Sequence, residues 1–291
     1  MLLISYSPSQ THKNNNDPYQ SRNMSQEEEP KKEDIKLMKK FIADKVEKTG
    51  TNGVVLGISG GLDSTTVLKL SIDSLGKEKV HGVIMPESAS PEEDMRDARW
   101  IAEKWDIEYD EYDIDPILAC FPADAEERLP YANLKSRVRG SIEYYVANVE
   151  NKLVIGTSNK SELLLGYTTK YGDSAVDFLP IGDVYKSDVK KLAKKIDVPE
   201  RFIEKVPRAG LWEGQTDEDE LGHTYKEIDE VLKCIEAQEP LEKVAEKNGV
   251  SEDTVRDVKE RIENSVHKRK FPTVLKLRSR TIGVDWREFS D

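Results

Sequence analysis

One short turn, Ser59-Gly60-Gly61-Leu62-Asp63-Ser64, constrains this chain more than any other feature. An apolar run, Val54 to Ile58, precedes it and reads as a buried strand; Val67, Leu68 and Leu70 after it have helical spacing. A strand, a glycine turn bearing hydroxyls and a helix N-terminus together form a phosphate cradle, because backbone N–H groups and the positive helix end point at one place. Gly60 and Gly61 lack a Cβ, which permits close approach. Ser59 and Ser64 add hydroxyls, and Asp63 is placed to hold a Mg²⁺ bound to the same phosphates. No Gly-Lys-Ser/Thr closes the loop, so it is not a Walker turn. The plainer reading is a glycine-rich βα turn without a ligand.

The surrounding pattern predicts an α/β fold. Strand-like runs at 54–58, 80–85, 107–112 and 153–156 alternate with helical stretches at 64–75, 92–105 and 134–149. That order predicts a Rossmann-like, doubly wound parallel sheet flanked by helices, with a helical C-terminal part over 225–235, 241–247 and 255–266. Ligands of such sheets sit beyond the carboxyl ends of the strands. The cradle and Gly156-Thr157-Ser158-Asn159 are then expected to share one crevice. Residues 1–32, rich in Ser, Asn, Gln, Glu and Pro, are expected to form a disordered tail, with Met24 a candidate start and 33–291 the catalytic unit. Met38, Phe41, Ile42 and Val46 open the first helix.

A formal net charge of -12 argues against nucleic-acid partners. Two separated cysteines, Cys120 and Cys234, show no zinc or disulfide framework. No run is long and apolar enough for a membrane span, and the first residues lack a signal-peptide pattern, so the expected location is cytoplasmic.

The loop resembles the SGGxDS pyrophosphate loop of N-type ATP pyrophosphatases. Further along, Gly156-Thr157-Ser158-Asn159-Lys160-Ser161-Glu162, Gly166 to Asp173, Asp177-Phe178-Leu179-Pro180, Tyr185-Lys186, Gly210 to Glu218 and His267-Lys268-Arg269 follow in order. The series resembles ammonia-dependent NAD synthetase from residue 34 onward. The resemblance implies that AMP is transferred from ATP to the carboxylate of nicotinic acid adenine dinucleotide (deamido-NAD), pyrophosphate is released, and ammonia displaces AMP. It implies ATP contacts from Gly57, Ile58, Ser59, Gly60, Gly61, Leu62, Asp63, Ser64, Thr157, Lys186 and residue 208. It implies Mg²⁺ on Asp63 and Glu162, and dinucleotide contacts from Arg137, Lys170, Asp177, His267 and Lys268. Asp173 is the candidate for orienting ammonia or the reacting carboxylate, with Lys186 and Asp63 beside it in the chemistry. Arg208 departs from the family, which usually has Ser or Thr there; a guanidinium at that position could pair with a phosphate. Arg139 lies two residues from Arg137, and such residues do not share a helix face, so Arg137 is preferred.

The resemblance also implies a homodimer, with Ile142, Tyr145, Val146 and Val149 as a candidate surface, and a 207–222 loop ordering over ATP. Glutamine-dependent relatives carry an added amidase domain; the stretch ahead of the cradle is too short for one, so free ammonia or a separate donor is expected. Plainer roles exist for each residue: Asp63 and Glu162 as helix-end acids, the basic residues as solvated surface charges. Two alternatives remain open. One is a different acceptor, such as GMP-type amidation or tRNA modification. The other is a regulator using 244–255 as a helix-turn-helix, opposed by Glu252, Asp253, Asp257 and Glu260 on its second helix.

Overall fold

Val54, Val55 and Leu56 are fully buried, and they alternate between two cores. Val54 and Leu56 point into one core and Val55 into the other. A strand buried on both faces has no polar side, which is why the run reads as continuously apolar. The computed structural model describes residues 30–208, 216–240, 244–245 and 249–282.

This strand, β1 (Val54–Gly57), pairs in parallel with β2 (Val80–Ile84) on one side and β4 (Leu153–Val154) on the other. β3 (Glu108–Glu111) pairs in parallel with β2 and closes that edge with charged side chains, which discourages further pairing. The order is β3-β2-β1-β4. The chain therefore reverses direction across the sheet between β1 and β4, the place where such sheets open a crevice. Just past β4, Ile155 makes a parallel bridge to Phe178.

One face carries α1 (Lys32–Thr49), α2 (Leu62–Leu75), α3 (Glu92–Lys104), α7 (Lys186–Lys195) and α8 (Glu200–Ile203), packed through Ile42, Leu68, Ile101, Leu192 and Phe202. The other carries α4 (Asp115–Leu118) and the long α5 (Arg128–Glu150), packed through Leu118, Val138, Val146 and Ala147. A third core joins α6 (Lys160–Leu165), α9 (Asp217–Leu221), α10 (Tyr225–Glu236) and α11 (Glu252–Asn264). The doubly wound expectation holds, and so does the helical C-terminal part.

Two details differ from expectation, and a third weighs against the helix-turn-helix alternative. Pro30 is buried and its carbonyl accepts from Lys195 Nζ at 2.9 Å, so the packed chain begins ahead of the boundary drawn at residue 32. The stripe proposed for a partner on α5 is split: Val146 is core, whereas Tyr145 and Val149 are 66% and 69% exposed. On α11, Val255 and Val258 belong to the third core, which leaves the acidic face outward and removes the basis for a recognition helix. The tail over 1–29, most of 241–247 and the centre of the expected 207–222 lid lie outside the described residues.

Candidate active site

The turn after β1 is built as a cradle. Gly60 has φ +74°, and a Cβ there would lie 2.1 Å from the Asp94 carbonyl oxygen, so only glycine fits against α3. Gly61 is the N-cap of α2, and no side chain caps that helix. By contrast Asn159, Thr224 and Ser251 cap α6, α10 and α11 with their own oxygens. The first-turn amides of α2 are thus left for an anion. Ser59 Oγ and Ser64 Oγ lie 2.9 Å apart, and Ser64 Oγ donates to the Gly61 carbonyl, fixing the hydroxyls at the mouth. Lys205 donates to the Gly60 carbonyl at 2.9 Å and pairs with Asp94 and Asp97, clamping the turn from behind.

Across the switch point, α6 begins beyond β4 with a reciprocal cap. Glu162 N donates to Asn159 Oδ1 at 3.0 Å, and Asn159 N donates to Glu162 Oε2 at 3.3 Å. Asn159 Nδ2 then reaches Asp63 Oδ1 at 3.2 Å, tying the two loops together. Lys186, the first residue of α7, sends its ammonium between Asp63 and Glu162, 3.2 Å from Glu162 Oε1. Burial alone would lower this lysine, but Asp63 and Glu162 outweigh it and hold the ammonium above its ordinary range. Burial pushes the Glu162 carboxyl up, and the neighbouring Asp63 charge adds to it. Asp229 fixes the start of α7: it accepts from Ser187 N at 2.8 Å and from Ser161 Oγ, which itself accepts from Lys186 N at 2.9 Å.

The donor set suits Mg²⁺. Among the described residues no group of three or more His, Cys, Asp or Glu side chains forms a metal cage. Two carboxylates at a phosphate cradle match the usual Mg²⁺ environment, in which phosphates and water complete the shell.

The third wall is α5. Ser136 Oγ donates to Asp173 Oδ1 at 3.0 Å, and the Thr169 amide donates to the same oxygen at 2.6 Å. Asp173 opens toward the cavity, and desolvation there raises its carboxyl above the usual range. Glu143 projects from the same helix face and is pushed up to about 7, by burial first and by the Asp173 charge second. Arg139, from the same helix, donates to the Met85 carbonyl at 3.3 Å. All these groups line one cavity of ≈ 540 Å³.

The chain's likeness to known proteins runs along the same residues. A family model described as NAD synthase matches residues 34–272, which spans the cradle, both carboxylates, Lys186 and Asp173. The chain belongs to the NAD synthase family. It is 48% identical to an NH3-dependent NAD+ synthetase of Archaeoglobus fulgidus over 82% of this chain and 94% of that relative. Among solved structures it resembles the NMN synthetase from Francisella tularensis, with a TM-score of 0.75 and 32% identity over 88% of this chain and 100% of that one. It also resembles the NH3-dependent NAD synthetase from Campylobacter jejuni, with a TM-score of 0.70 and 34% identity over 84% and 98% of the two chains.

Of the residues expected from the NAD synthetase pattern, the structure brings Gly57, Ile58, Ser59, Gly61, Leu62, Asp63, Ser64, Thr157, Glu162, Asp173, Lys186, Arg208 and Lys268 to the cavity. Gly60 faces α3 instead and shapes the turn from outside. Arg208 stands at the rim, ion-paired with Glu93 and Asp94 at 3.3 and 3.4 Å. Lys268 donates to the carbonyls of Gly166 and Thr168. Four expected residues do not line the cavity. Arg137 is exposed and donates to the Lys170 carbonyl at 3.3 Å, which puts both on the outer side of the wall. Asp177 accepts from Val154 N at 2.7 Å and from Tyr144 OH at 3.2 Å, so it ties the edge of β4. His267 is exposed beside Lys268.

Preferring Arg137 over Arg139 picked the helix face away from the cavity: the two do diverge, and Arg139 is the one that points in. Sequence reasoning also missed Lys205, Glu143 and Asp217. Asp217 lies within the matched Gly210–Glu218 series, which was its only signal; Lys205 and Glu143 had none beyond being charged.

Proposed function

We propose that this chain makes NAD⁺ from deamido-NAD, ATP and ammonia through an acyl-adenylate, releasing pyrophosphate and then AMP. The observation that carries this reading is the convergence of Asp63, Glu162 and Lys186 from the first turns of three separate helices beside an uncapped helix start at the sheet's switch point.

The chemistry follows from the charges. A carboxylate oxygen of deamido-NAD must approach the α-phosphorus of ATP, anion against anion. The α2 amides, the two serine hydroxyls and Lys186 counter that repulsion and align the triphosphate. Asp63 and Glu162 are the side chains we assign to Mg²⁺, which supplies charge neutralisation on the phosphates when bound. The new C–O–P linkage forms as the α–β P–O bond breaks. We assign Asp173, held by Ser136 and the Thr169 amide, to orienting the nucleophile in the second step. We assign the Lys268 side, with Arg137 and Lys170 on its outer flank, to the dinucleotide. Tyr145 and Val149 form part of the surface we assign to a second copy of the chain, which light scattering tests directly.

A competing substrate arises from the likeness to NMN synthetase: the mononucleotide acid presents the same carboxylate. One assay covers both. Mass spectrometry of products from ATP, Mg²⁺ and ammonium with either pyridine nucleotide acid is expected to show the dinucleotide amide, AMP and pyrophosphate. ADP and phosphate as products refute α–β cleavage. Amidation of the mononucleotide alone transfers the assignment to that substrate.

A further inference from the structure

Glu143 is a half-buried carboxyl that the adenylation chemistry does not use. Most other cavity carboxylates are engaged. Asp63 and Glu162 share Lys186, Asp94 has Lys205 and Arg208, and Asp217 takes the hydroxyls of Tyr225 and Tyr167 at 3.3 Å. Glu143 instead reaches under the cradle. A Cβ on Gly57 would lie 2.3 Å from its Oε1, so glycine at the end of β1 makes room for this carboxyl, and the Gly57 amide donates to it.

A second close approach sets Asp173 on the same side. At Gly140, one turn before Glu143, a Cβ would lie 3.1 Å from the Gly172 carbonyl oxygen. The bare α5 backbone there lets the 172–173 turn press against the helix, and Glu143 and Asp173 both face the cavity. The charged groups around Glu143 are Asp173 from that turn and Arg139 from its own helix; the adjacent Tyr144 feels its charge, while β1 offers only the Gly57 amide. The Lys268 charge acts on Asp173.

This inference rests on the amidation reading above. We infer that Glu143 is the base that receives a proton from ammonium seated between it and Asp173. At neutral pH the nucleophile is present mostly as ammonium, which has no lone pair to attack with. One N–H bond of ammonium breaks as an O–H bond forms on Glu143. The freed lone pair then makes the C–N bond at the acyl carbon, the C–O bond to adenylate breaks, and AMP leaves with that electron pair. The surplus proton on the amide nitrogen passes to the departing phosphate, and Glu143 returns its own proton to water. A base that works near neutrality needs a carboxyl raised toward that range, which burial beside Asp173 supplies.

The test compares the full-length wild type with Glu143→Gln and Glu143→Leu in three measurements. ATP–pyrophosphate exchange with deamido-NAD, without ammonium, reads adenylation alone. Amide formation from ammonium as a function of pH reads the second step. Hydroxamate formation from hydroxylamine, a nucleophile that is already neutral at pH 7, reads that step without the need for a base. For Glu143→Gln, kcat/KM for ammonium is expected to fall about 100-fold and to lose an acidic limb near pH 7. Exchange and hydroxamate formation are expected to be slowed far less. Glu143→Leu should lose ammonium turnover in the same way. Equal losses with ammonium and hydroxylamine, or an acidic limb that survives in Glu143→Gln, overturn the role assigned to Glu143 and leave the amidation reading standing. A wild type that supports no exchange with deamido-NAD overturns both.

Discussion

Replacing Lys186 with methionine tests the centre of the site most directly. Lys186 lies between Asp63 and Glu162, and the Asp217 charge also acts on it. Its aliphatic stem is buried and its ammonium is 5.3 Å from the Tyr225 ring centroid. Methionine keeps the stem's volume and removes the charge, leaving acidic groups in a poorly solvated place without their cation. Breaking a buried pair in this way typically costs about 3–5 kcal/mol. For a domain of this size that corresponds to a fall of roughly 10 °C in Tm. The loss should shrink at acid pH. Without the ammonium, the folded-state carboxyls bind protons more tightly than the unfolded ones, so the variant loses stability as pH rises through their raised range. Millimolar Mg²⁺ should restore the variant more than it helps the wild type, because the metal then answers the same two carboxylates. The assay is a set of thermal melts at acid and alkaline pH with and without Mg²⁺, alongside amide formation, which should drop by about 1,000-fold. A variant that melts with the wild type at alkaline pH, without metal, refutes the charge-balance reasoning.

Three further outcomes are expected. Gly60→Ala places a Cβ 2.1 Å from the Asp94 carbonyl oxygen at φ +74°, so ATP binding should be lost with a stability cost of at least about 1–2 kcal/mol, whereas Gly61→Ala, with its nearest contact at 3.2 Å, should fold normally; calorimetry decides between them. Burial raises the folded-state Glu143 carboxyl to about 7, so its contribution is fully present below the unfolded value and is lost as pH rises through about 7; Glu143→Gln should remove up to about 3 kcal/mol of that slope, read from melts on either side of the window. Asp229→Ala removes the acceptor for Ser187 N and Ser161 Oγ at the start of α7; it should cost about 1–3 kcal/mol and lower kcat by loosening Lys186, with partial recovery in Asp229→Asn.

Much of the site was legible because its parts are local. A strand, a glycine turn and a helix start within a dozen residues, so the cradle can be read without knowing what packs on it. Glu162 follows the same rule: it stands in the first turn of its helix as a helix-end acid, and the cap it shares with Asn159 positions the carboxylate that faces Lys186. Arg137 and Arg139 show the opposite case. Helical geometry says that they diverge, but nothing in a 23-residue helix of low amphipathicity says which one faces inward. Glu143 and Lys205 were hidden among 56 acidic and 44 basic residues because their roles come from contacts with Gly57 and Gly60, far away in sequence.

By itself the sequence determined the alternation of strands and helices, the anion-binding turn and the family to which the chain belongs, because each rests on short-range periodicity or on motifs kept in order. Tertiary structure alone decided which charges meet. The reversal between β1 and β4 brings residues 63, 162 and 186 together, and the approach of α5 to the 172–173 turn half-buries the Glu143 carboxyl. Burial and charge pairing are properties of the space between segments, and that space exists only once the sheet has formed.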